Sequence, residues 1–419
     1  MPSQTTSIAT SSTDSALSAA QKLDFCRPQW LLHWSGPTSG RIFTAISRKS
    51  SPPEQPPNRT RCLLQQDLYL HPSKPLSNAR ERIANWADAY KLRSKRRLLL
   101  GRAFRKRKQL TEVKNRATRL APDDILLFAT VRNEHLRLPY FLAHYRRLGV
   151  QHFFFISNNS TDGTSDFLAK QEDVSLWTTM HSYKLSRFGM DWVTWLQIKY
   201  AHGHWCLTLD ADEIFIYPFY ETRPLKALTD WLDTHDVASF GALMLDLYPK
   251  GRLQTNIYTA GQNPFEILNW FDSGNYFIKR QLKLQNLWVQ GGVRARCFFA
   301  NSPPRSPTLS KVPLVKWNRR FSYLSSTHSL LPRKLNHVYG ETGGEKPSGV
   351  LLHTKFLHLA VEGAAEEKLR REHFENIDLY QTYYDRLTKN PSLWCQTSSK
   401  YTGWRQLDTL GLMSKGAWI

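Results

Sequence analysis

Cysteine is scarce in this chain. There are five in 419 residues, Cys26, Cys62, Cys206, Cys297 and Cys395. They are odd in number and scattered, and none combines with histidine at zinc-finger spacing. A disulfide framework and a structural zinc site are not expected, and the pattern fits free thiols in a reducing compartment. Long apolar runs are also lacking: no stretch approaches the roughly 18–20 apolar residues that span a bilayer. The Ser/Thr-rich first thirty residues have no apolar h-region of the kind a secretory signal carries. No internal repeat is visible. These absences lead us to expect a cytoplasmic protein.

Acidic residues are outnumbered, 35 Asp and Glu against 57 Lys and Arg, for a net charge of +22. Residues 1–120 hold 23 basic and 7 acidic side chains, a net of +16, and the remainder carries only +6. The excess therefore belongs to the N-terminal part and says little about the chemistry of the body. Residues 1–77 are rich in Ser, Thr and Pro with little periodicity and read as a largely disordered tail. Residues 78–120 read as a basic helical segment, with Leu98, Leu99, Leu100 and Phe104 set among cations. Three uses suit it: packing on the body by its leucines, lying on an anionic membrane surface, or, least favoured, contacting nucleic acid.

The texture changes near Asp123. Ile125–Val131, His152–Ile156, Val174–Thr178 and Trp205–Leu209 are strand candidates. Between them lie helical patterns: one from Leu138 to a stop at Gly149, a short one opened by Asp162-Gly163-Thr164, and one over Asp191–Ala201. Strands alternating with helices predict βαβ units and a mostly parallel sheet covered on both faces. Gly241–Leu247 reads as a further strand, residues 250–345 as loops and short strands, Ser348–Leu359 as a buried strand with a polar centre, and Glu366–Tyr384 as a helix. Residues 121–247 would form a nucleotide-sugar half, 248–385 an acceptor half of the same domain, and 386–419 a C-terminal tail.

In such sheets ligands bind beyond the carboxyl ends of the strands. Three polar clusters fall there: Arg132-Asn133-Glu134, Ser157-Asn158-Asn159-Ser160, and Asp210-Ala211-Asp212-Glu213. The last closes an apolar run with three carboxylates. Each costs several kcal/mol to bury unpaired. A divalent cation at the strand's end would resolve that cost, because hard cations take carboxylate oxygens and bridge them to phosphates. The cluster thus points to an enzyme acting on a diphosphate-bearing substrate. His353 and Lys355, two apart in a predicted strand, would share a face and suit a phosphate or a metal; an ordinary core histidine is the competing reading of His353.

Val131-Arg-Asn-Glu, Leu138-Pro-Tyr-Phe-Leu-Ala-His-Tyr-Arg-Arg-Leu-Gly, Ser157-Asn-Asn-Ser-Thr-Asp-Gly-Thr and Leu209-Asp-Ala-Asp-Glu together resemble the family 2-like glycosyltransferases, in particular a bacterial subgroup with a Val-Arg-Asn-Glu opening. Lys311-Val-Pro-Leu-Val-Lys-Trp, Thr327-His328 and Leu351-Leu-His-Thr-Lys-Phe extend the resemblance, which covers roughly residues 95–385. It implies a GT-A fold, a divalent metal (manganese or magnesium), and inverting transfer of a sugar from a nucleotide-diphosphate donor to a saccharide or glycolipid acceptor. It makes Asp212 the direct metal ligand, with His353 as a further ligand. Asp210 would help hold the metal, meeting the ribose or a metal-bound water. Arg132, Asn133, Glu134, Ser157, Asn159, Asp162 and Lys355 would bind the donor. Two positions depart from the pattern: Ser157 stands where an aspartate commonly holds the base, and Thr354 where an aromatic residue follows the histidine.

The acceptor hydroxyl also needs a general base. Asp246, ending Ala-Leu-Met-Leu-Asp, is the first choice, with Asp272 and Glu213 as alternatives. Arg280, Arg294 and Arg296 would bind phosphate or form salt bridges. Trp192, Trp195, Trp270, Trp288 and Trp317 are either core residues or sugar platforms. Cys206 reads as a buried small hydrophobe. A nucleotidyltransferase is the rival enzyme class, but no Gly-rich basic loop follows the first strand. A degenerate transferase fold that binds membrane or nucleic acid through residues 78–120 is the non-enzymatic alternative.

Overall fold

A computed structural model describes residues 79–340, 346–370 and 377–418. The expected tail over residues 1–77 lies outside them. The chain opens with the long helix α1 (Ala79–Lys106). Then follow β1 (Thr111–Lys114), β2 (Leu126–Val131), α2 (Leu138–Leu148), β3 (His152–Asn158), α3 (Thr164–Ala169) and β4 (Val174–Thr179). Next come α4 (Met190–Tyr200), β5 (Trp205–Thr208), β6 (Glu213–Ile216), α5 (Leu225–Thr234) and β7 (Ser239–Asp246). The second half holds β8 (Trp270–Asp272), β9 (Tyr276–Gln281), β10 (Asn286–Gly291), α6 (Gly292–Phe298), β11 (Ser310–Lys316), β12 (Ser322–Tyr323) and β13 (Leu330–Leu331). It closes with β14 (Gly349–His353), α7 (Leu359–Arg370), α8 (Ile377–Leu387), β15 (Ser398–Lys400) and α9 (Trp404–Thr409).

Nine strands form one mixed sheet in the order β1-β4-β3-β2-β5-β11-β7-β14-β6. β2, β3, β4, β5, β7 and β14 point one way, and β1, β11 and β6 run against them. The expected α/β class with a largely parallel sheet is therefore the observed one. Side-chain alternation explains the layers. Leu127, Phe153, Phe155 and Leu207 face one core with the apolar residues of α2 and α5. Leu126, Phe128, Phe154 and Ile156 face the other core with Trp192, Val193 and Leu196 of α4.

Two local expectations change. Residues 78–120 are not helical throughout, because the helix ends at Lys106 and Thr111–Lys114 pairs with the open edge of β4. The stretch 250–345 holds loops and short strands as expected, but one of these strands, β11, lies in the middle of the main sheet. Its sequence hides this, because Pro313 lacks a donor and is rarely found in central strands. The strand accommodates it with a register shift between Lys311 and Leu314, and pairs with β5 only over Leu314–Lys316. The expected Ser348–Leu359 strand stops at His353, and the C-terminal helical region begins at Leu359, seven positions before the expected start.

β6 is an edge strand, yet its outer backbone groups are paired by side chains of α2. The Tyr145 hydroxyl donates to Glu213 O at 2.8 Å and accepts from Phe215 N at 2.8 Å. His144 Nε2 lies 3.0 Å from Phe215 O, a pure acceptor, so that nitrogen carries the proton, while Nδ1 faces Arg147 at 3.3 Å. Burial, with Arg147 adding to it, pushes the His144 pKa down to about 4. Burial does the same to His152, which bonds Ser175 at 2.8 Å.

Two outcomes follow from this edge. Tyr145→Phe leaves two buried backbone groups without partners and is expected to cost about 2–3 kcal/mol by urea unfolding; no change in midpoint would refute the pairing. Both histidines titrate lower in the folded than in the unfolded chain. The stability they allow is complete above the unfolded value near 6.5 and is lost as pH falls toward about 4. Unfolding curves at pH 7, 5.5 and 4.5 should show His144→Gln losing less on acidification than the parent; parallel losses would contradict it.

Candidate active site

The register of the sheet builds this site. The parallel pairing of β14 with β7 sets His353 beside Asp246, and its antiparallel pairing with β6 sets His353 beside Glu213. The carboxyl ends of β2, β3, β5, β7 and β14 share this rim, and the antiparallel β11 begins there. The link Leu209–Asp212 from β5 to β6 crosses it. Below the link, Lys311 reaches up from the half of β11 that has parted from β5.

Lys311 is buried, and its Nζ donates to Asp210 Oδ2 at 3.0 Å and to Glu213 Oε1. Glu213 is wholly buried, and its other oxygen accepts from Asp210 N at 3.2 Å. Burial lifts the Glu213 pKa to about 7 against the pull of Lys311. The cation that balances this part of the acidic cluster is therefore a lysine of the chain itself. Lys311 stood in the resembling motif without a role. Its signal was a lone cation inside an otherwise buried strand.

A second line of charges runs beside the first. Arg294 Nε donates to Asp246 Oδ2 at 2.7 Å, Asp246 Oδ1 meets His353 Nδ1 at 2.6 Å, and His353 Nε2 meets Asp212 Oδ2 at 3.0 Å. Burial disfavours charge on the imidazole, but Asp212 and Asp246 outweigh it and raise the His353 pKa. Burial likewise opposes ionisation of Asp212, and His353 reverses that, holding the carboxyl well below its usual range. The backbone carbonyl of Asp212 accepts from Thr354 N at 2.7 Å and from Thr354 Oγ1 at 3.0 Å. Thr354, where an aromatic residue was expected, thus fixes the acidic link.

The loop after β2 is clamped to the turn before α3. Asn133 N donates to Ser160 Oγ at 3.2 Å, Glu134 N to Thr164 Oγ1 at 2.9 Å, and His135 N to Asp162 Oδ2 at 3.0 Å. Thr161 N returns a bond to Asn133 Oδ1 at 2.8 Å. Glu134 pairs with Arg137 at 2.8 Å. Arg132 holds Glu366 of α7 at 2.7 Å and the Asn159 carbonyl at 2.9 Å.

These groups surround a cavity of about 660 Å³. Its wall includes Arg132, Asn133, Glu134, Asp162, Asp210, Asp212, His353 and Lys355, so most of the expected site residues meet in one place. Arg137, Tyr183, Phe188, Lys311, His328 and the α7 carboxylates Glu362, Glu366 and Glu367 also line it. Of these, Arg137, Tyr183, Phe188 and the glutamates were not anticipated. They sit in segments without a recognisable motif.

Other expected residues lie off the wall. Ser157 is buried and bonds Ser160 at 2.9 Å and Ser165 at 2.8 Å, while its neighbour Asn158 reaches the cavity. Asn159 contributes its carbonyl to Arg132. Asp246 and Asp272, expected as bases, are also off the wall. Both Asp246 oxygens are engaged by Arg294 and His353. Asp272 is held by Arg296 at 2.8 and 2.9 Å and by the Tyr248 hydroxyl. Neither side chain reaches the cavity wall. Arg294 and Arg296 thus form internal ion pairs, Arg294 while still reaching the cavity wall, and Arg296 and Arg280 lie away from it. No described tryptophan lines the cavity; Trp192 and Trp317 are core, Trp195 packs on Phe104, Trp270 on Trp394, and Trp288 lies near His328. Cys206 is buried, and burial raises its thiol pKa well above the ordinary value.

Among the described residues no group of three or more His, Cys, Asp or Glu side chains is preassembled around a point that would hold a metal. The donor chemistry nevertheless fits a divalent ion. Asp212 and His353 converge through one oxygen and one nitrogen, and the other ring nitrogen of His353 is anchored on a carboxylate, as in metal-ligating histidines generally. Asp210 is the most open of the three carboxylates, its side chain 46% exposed.

No protein-family profile matches the chain. No curated protein matches it either. Solved structures do align with it. One is a Bacillus anthracis protein described as a glucose-1-phosphate thymidylyltransferase, in complex with sucrose, at 9% identity and TM-score 0.24, covering 63% of this chain and 83% of that one. Another is a UTP-bound UGPase from Acinetobacter baumannii, at 8% identity and TM-score 0.24, covering 67% and 86%. Both likenesses are too distant to carry an assignment of chemistry.

Lys311→Met removes the counter-charge of a buried carboxylate and is expected to cost about 3–5 kcal/mol of stability. Adding Glu213→Gln should recover a large part of it, because the unpaired charge goes too. Equal unfolding midpoints for the single and double variants would contradict the pairing.

Proposed function

We propose that this protein is a metal-dependent glycosyltransferase that moves a sugar from a nucleotide-diphosphate donor to an acceptor hydroxyl, with inversion. The observation that carries the reading is the line Arg294–Asp246–His353–Asp212, which ends at a cavity on the carboxyl rim of the sheet with Asp210 open beside it. Asp212 and His353 would hold the ion, manganese or magnesium, with Asp210 meeting the ribose or a metal-bound water. Bound there, the ion would supply Lewis-acid stabilisation of the charge that develops on the leaving diphosphate.

The chain's own residues have distinct parts in this reading. Arg294 fixes Asp246, and Asp246 fixes the His353 ring so that Nε2 faces the cavity; Asp246 is then a positioning residue. Lys311, itself in the cavity wall, keeps Asp210 and Glu213 from repelling each other. Arg132, Arg137 and Lys355 place positive charge around the diphosphate. Tyr183 and Phe188 give the cavity an apolar wall that limits water. The acceptor is a saccharide or glycolipid.

One observation weighs against a nucleotidyltransferase. An enzyme that cradles a triphosphate on backbone N–H groups needs those groups free. In the loop after β2, the N–H groups of Asn133, Glu134 and His135 are all taken by side chains of the next turn.

A thermal-shift panel of nucleotide-diphosphate sugars, with and without manganese, tests the proposal. At 100 times its Kd a bound ligand adds about 2.7 kcal/mol to apparent stability. We expect a manganese-dependent shift for at least one nucleotide sugar, abolished in Asp212→Asn. Asp246→Asn should weaken apparent metal affinity about 10–100-fold through the orientation of His353. A full manganese-dependent shift in Asp212→Asn, or shifts with nucleoside triphosphates alone, would sink the reading.

A further inference from the structure

α1 carries more than its packing requires. Its inner side buries Leu92, Leu99 and Ala103. Yet Trp86 is 72% exposed, Tyr90 60%, Leu98 54% and Phe104 52%. At 100° per residue, Trp86, Tyr90, Arg93, Arg97 and Phe104 fall within an arc of about 60° on the outer face, over a length of about 27 Å. Trp86 and Tyr90 stack with ring centres 6.0 Å apart. From Lys91 to Lys108 ten of eighteen residues are Lys or Arg and none is acidic.

Neighbouring segments meet the helix on its opposite side, through Asp88 and Arg102. Lys283 pairs with Asp88 at 3.7 Å, which brings the turn between β9 and β10 beside the first half of α1; Leu282 in that turn is 78% exposed. Arg102 donates to the Leu185 carbonyl at 3.0 Å, and the Leu185 side chain is 69% exposed. Among the described residues these cations have few ion-pair partners, Arg102 with Asp191 being one. Arg96 is depressed by burial first and then by Arg93, Arg97 and Arg320. An outside surface of negative charge would relieve that crowding.

We propose that the outer face of α1 docks the protein on an anionic membrane surface. Tryptophan and tyrosine favour the depth of lipid headgroups, where one side of the ring is apolar and the other wet. Arginines interleaved with them meet anionic lipid while their stems lie along the apolar layer. A nucleic acid would use the same charge, but it gives no reason for the exposed aliphatic Leu98 among the cations of the helix. The opposite side of α1 ties the helix to the cavity's segment. Arg102 bonds Asp191 at 2.9 Å, and Asp191 bonds Arg187 at 2.7 Å, in the same segment whose Tyr183 and Phe188 line the cavity.

The test is co-sedimentation of the full chain with vesicles of phosphatidylcholine alone, or with 30% phosphatidylserine, at 0.1 and 0.5 M NaCl. We expect at least tenfold tighter binding to the anionic vesicles at 0.1 M salt, weakened at 0.5 M. Arg93→Glu with Arg97→Glu, and separately Trp86→Ser with Tyr90→Ser, should each reduce it tenfold or more while leaving the melting temperature unchanged. Equal binding to both vesicles, or variants that bind as the parent does, would overturn the proposal. So would tighter binding to a 20-nucleotide single-stranded RNA than to the anionic vesicles at the same salt.

Discussion

One buried ammonium group lets the acidic link exist. Asp210, Asp212 and Glu213 fall within four consecutive positions, and Glu213 has no access to water. Two such carboxylates within reach of each other in a poorly polarisable interior would repel strongly. Lys311 meets both Asp210 and Glu213, and His353 meets Asp212, so each carboxylate has a cation at hand. The position of Lys311 in turn depends on Pro313 and the parting of β11 from β5, which frees the start of that strand to reach under the link. A local irregularity in the sheet is thus what gives the cavity its floor.

The alternation of strand and helix between residues 123 and 210 was legible because both periods were strong. Phe153, Phe154 and Phe155 could only belong to a strand buried on both faces, and Gly149 ends α2 at φ 94°, where a glycine is favoured. The rim was legible for the same reason, since the polar clusters fall where parallel strands end. β11 was not, because its defining contacts lie about a hundred residues away in β5 and its proline argues locally for a break. Nor was the engagement of Asp246. Its place at the end of an apolar run reads the same whether its oxygens are free or held by Arg294 and His353, and only the β7–β14 register decides between them.

His353 and Ser157 show how type and position separate. At His353 a core histidine and a ligand-like histidine were competing readings, and the structure gives it features of both: buried within the sheet, it points one nitrogen inward to Asp246 and the other outward to Asp212. At Ser157 the missing carboxylate leaves a small network of hydroxyls with Ser160 and Ser165. That network ties β3 to the turn that clamps the loop after β2, so the serine shapes the rim without touching the cavity.

The two ends of the nine-stranded sheet are treated differently. β6 has its open side closed by Tyr145 and His144. At the far end β1 is four residues long, exposed, charged at Glu112 and Lys114, and irregular in register between them. Short, charged, kinked edges resist the addition of a strand from another molecule. A chain with three phenylalanines in a row in its central sheet carries a strong tendency to aggregate whenever that sheet is exposed. Sealing one border and roughening the other confines that tendency to the unfolded chain, and the native molecule offers no strand template to its neighbours at either end.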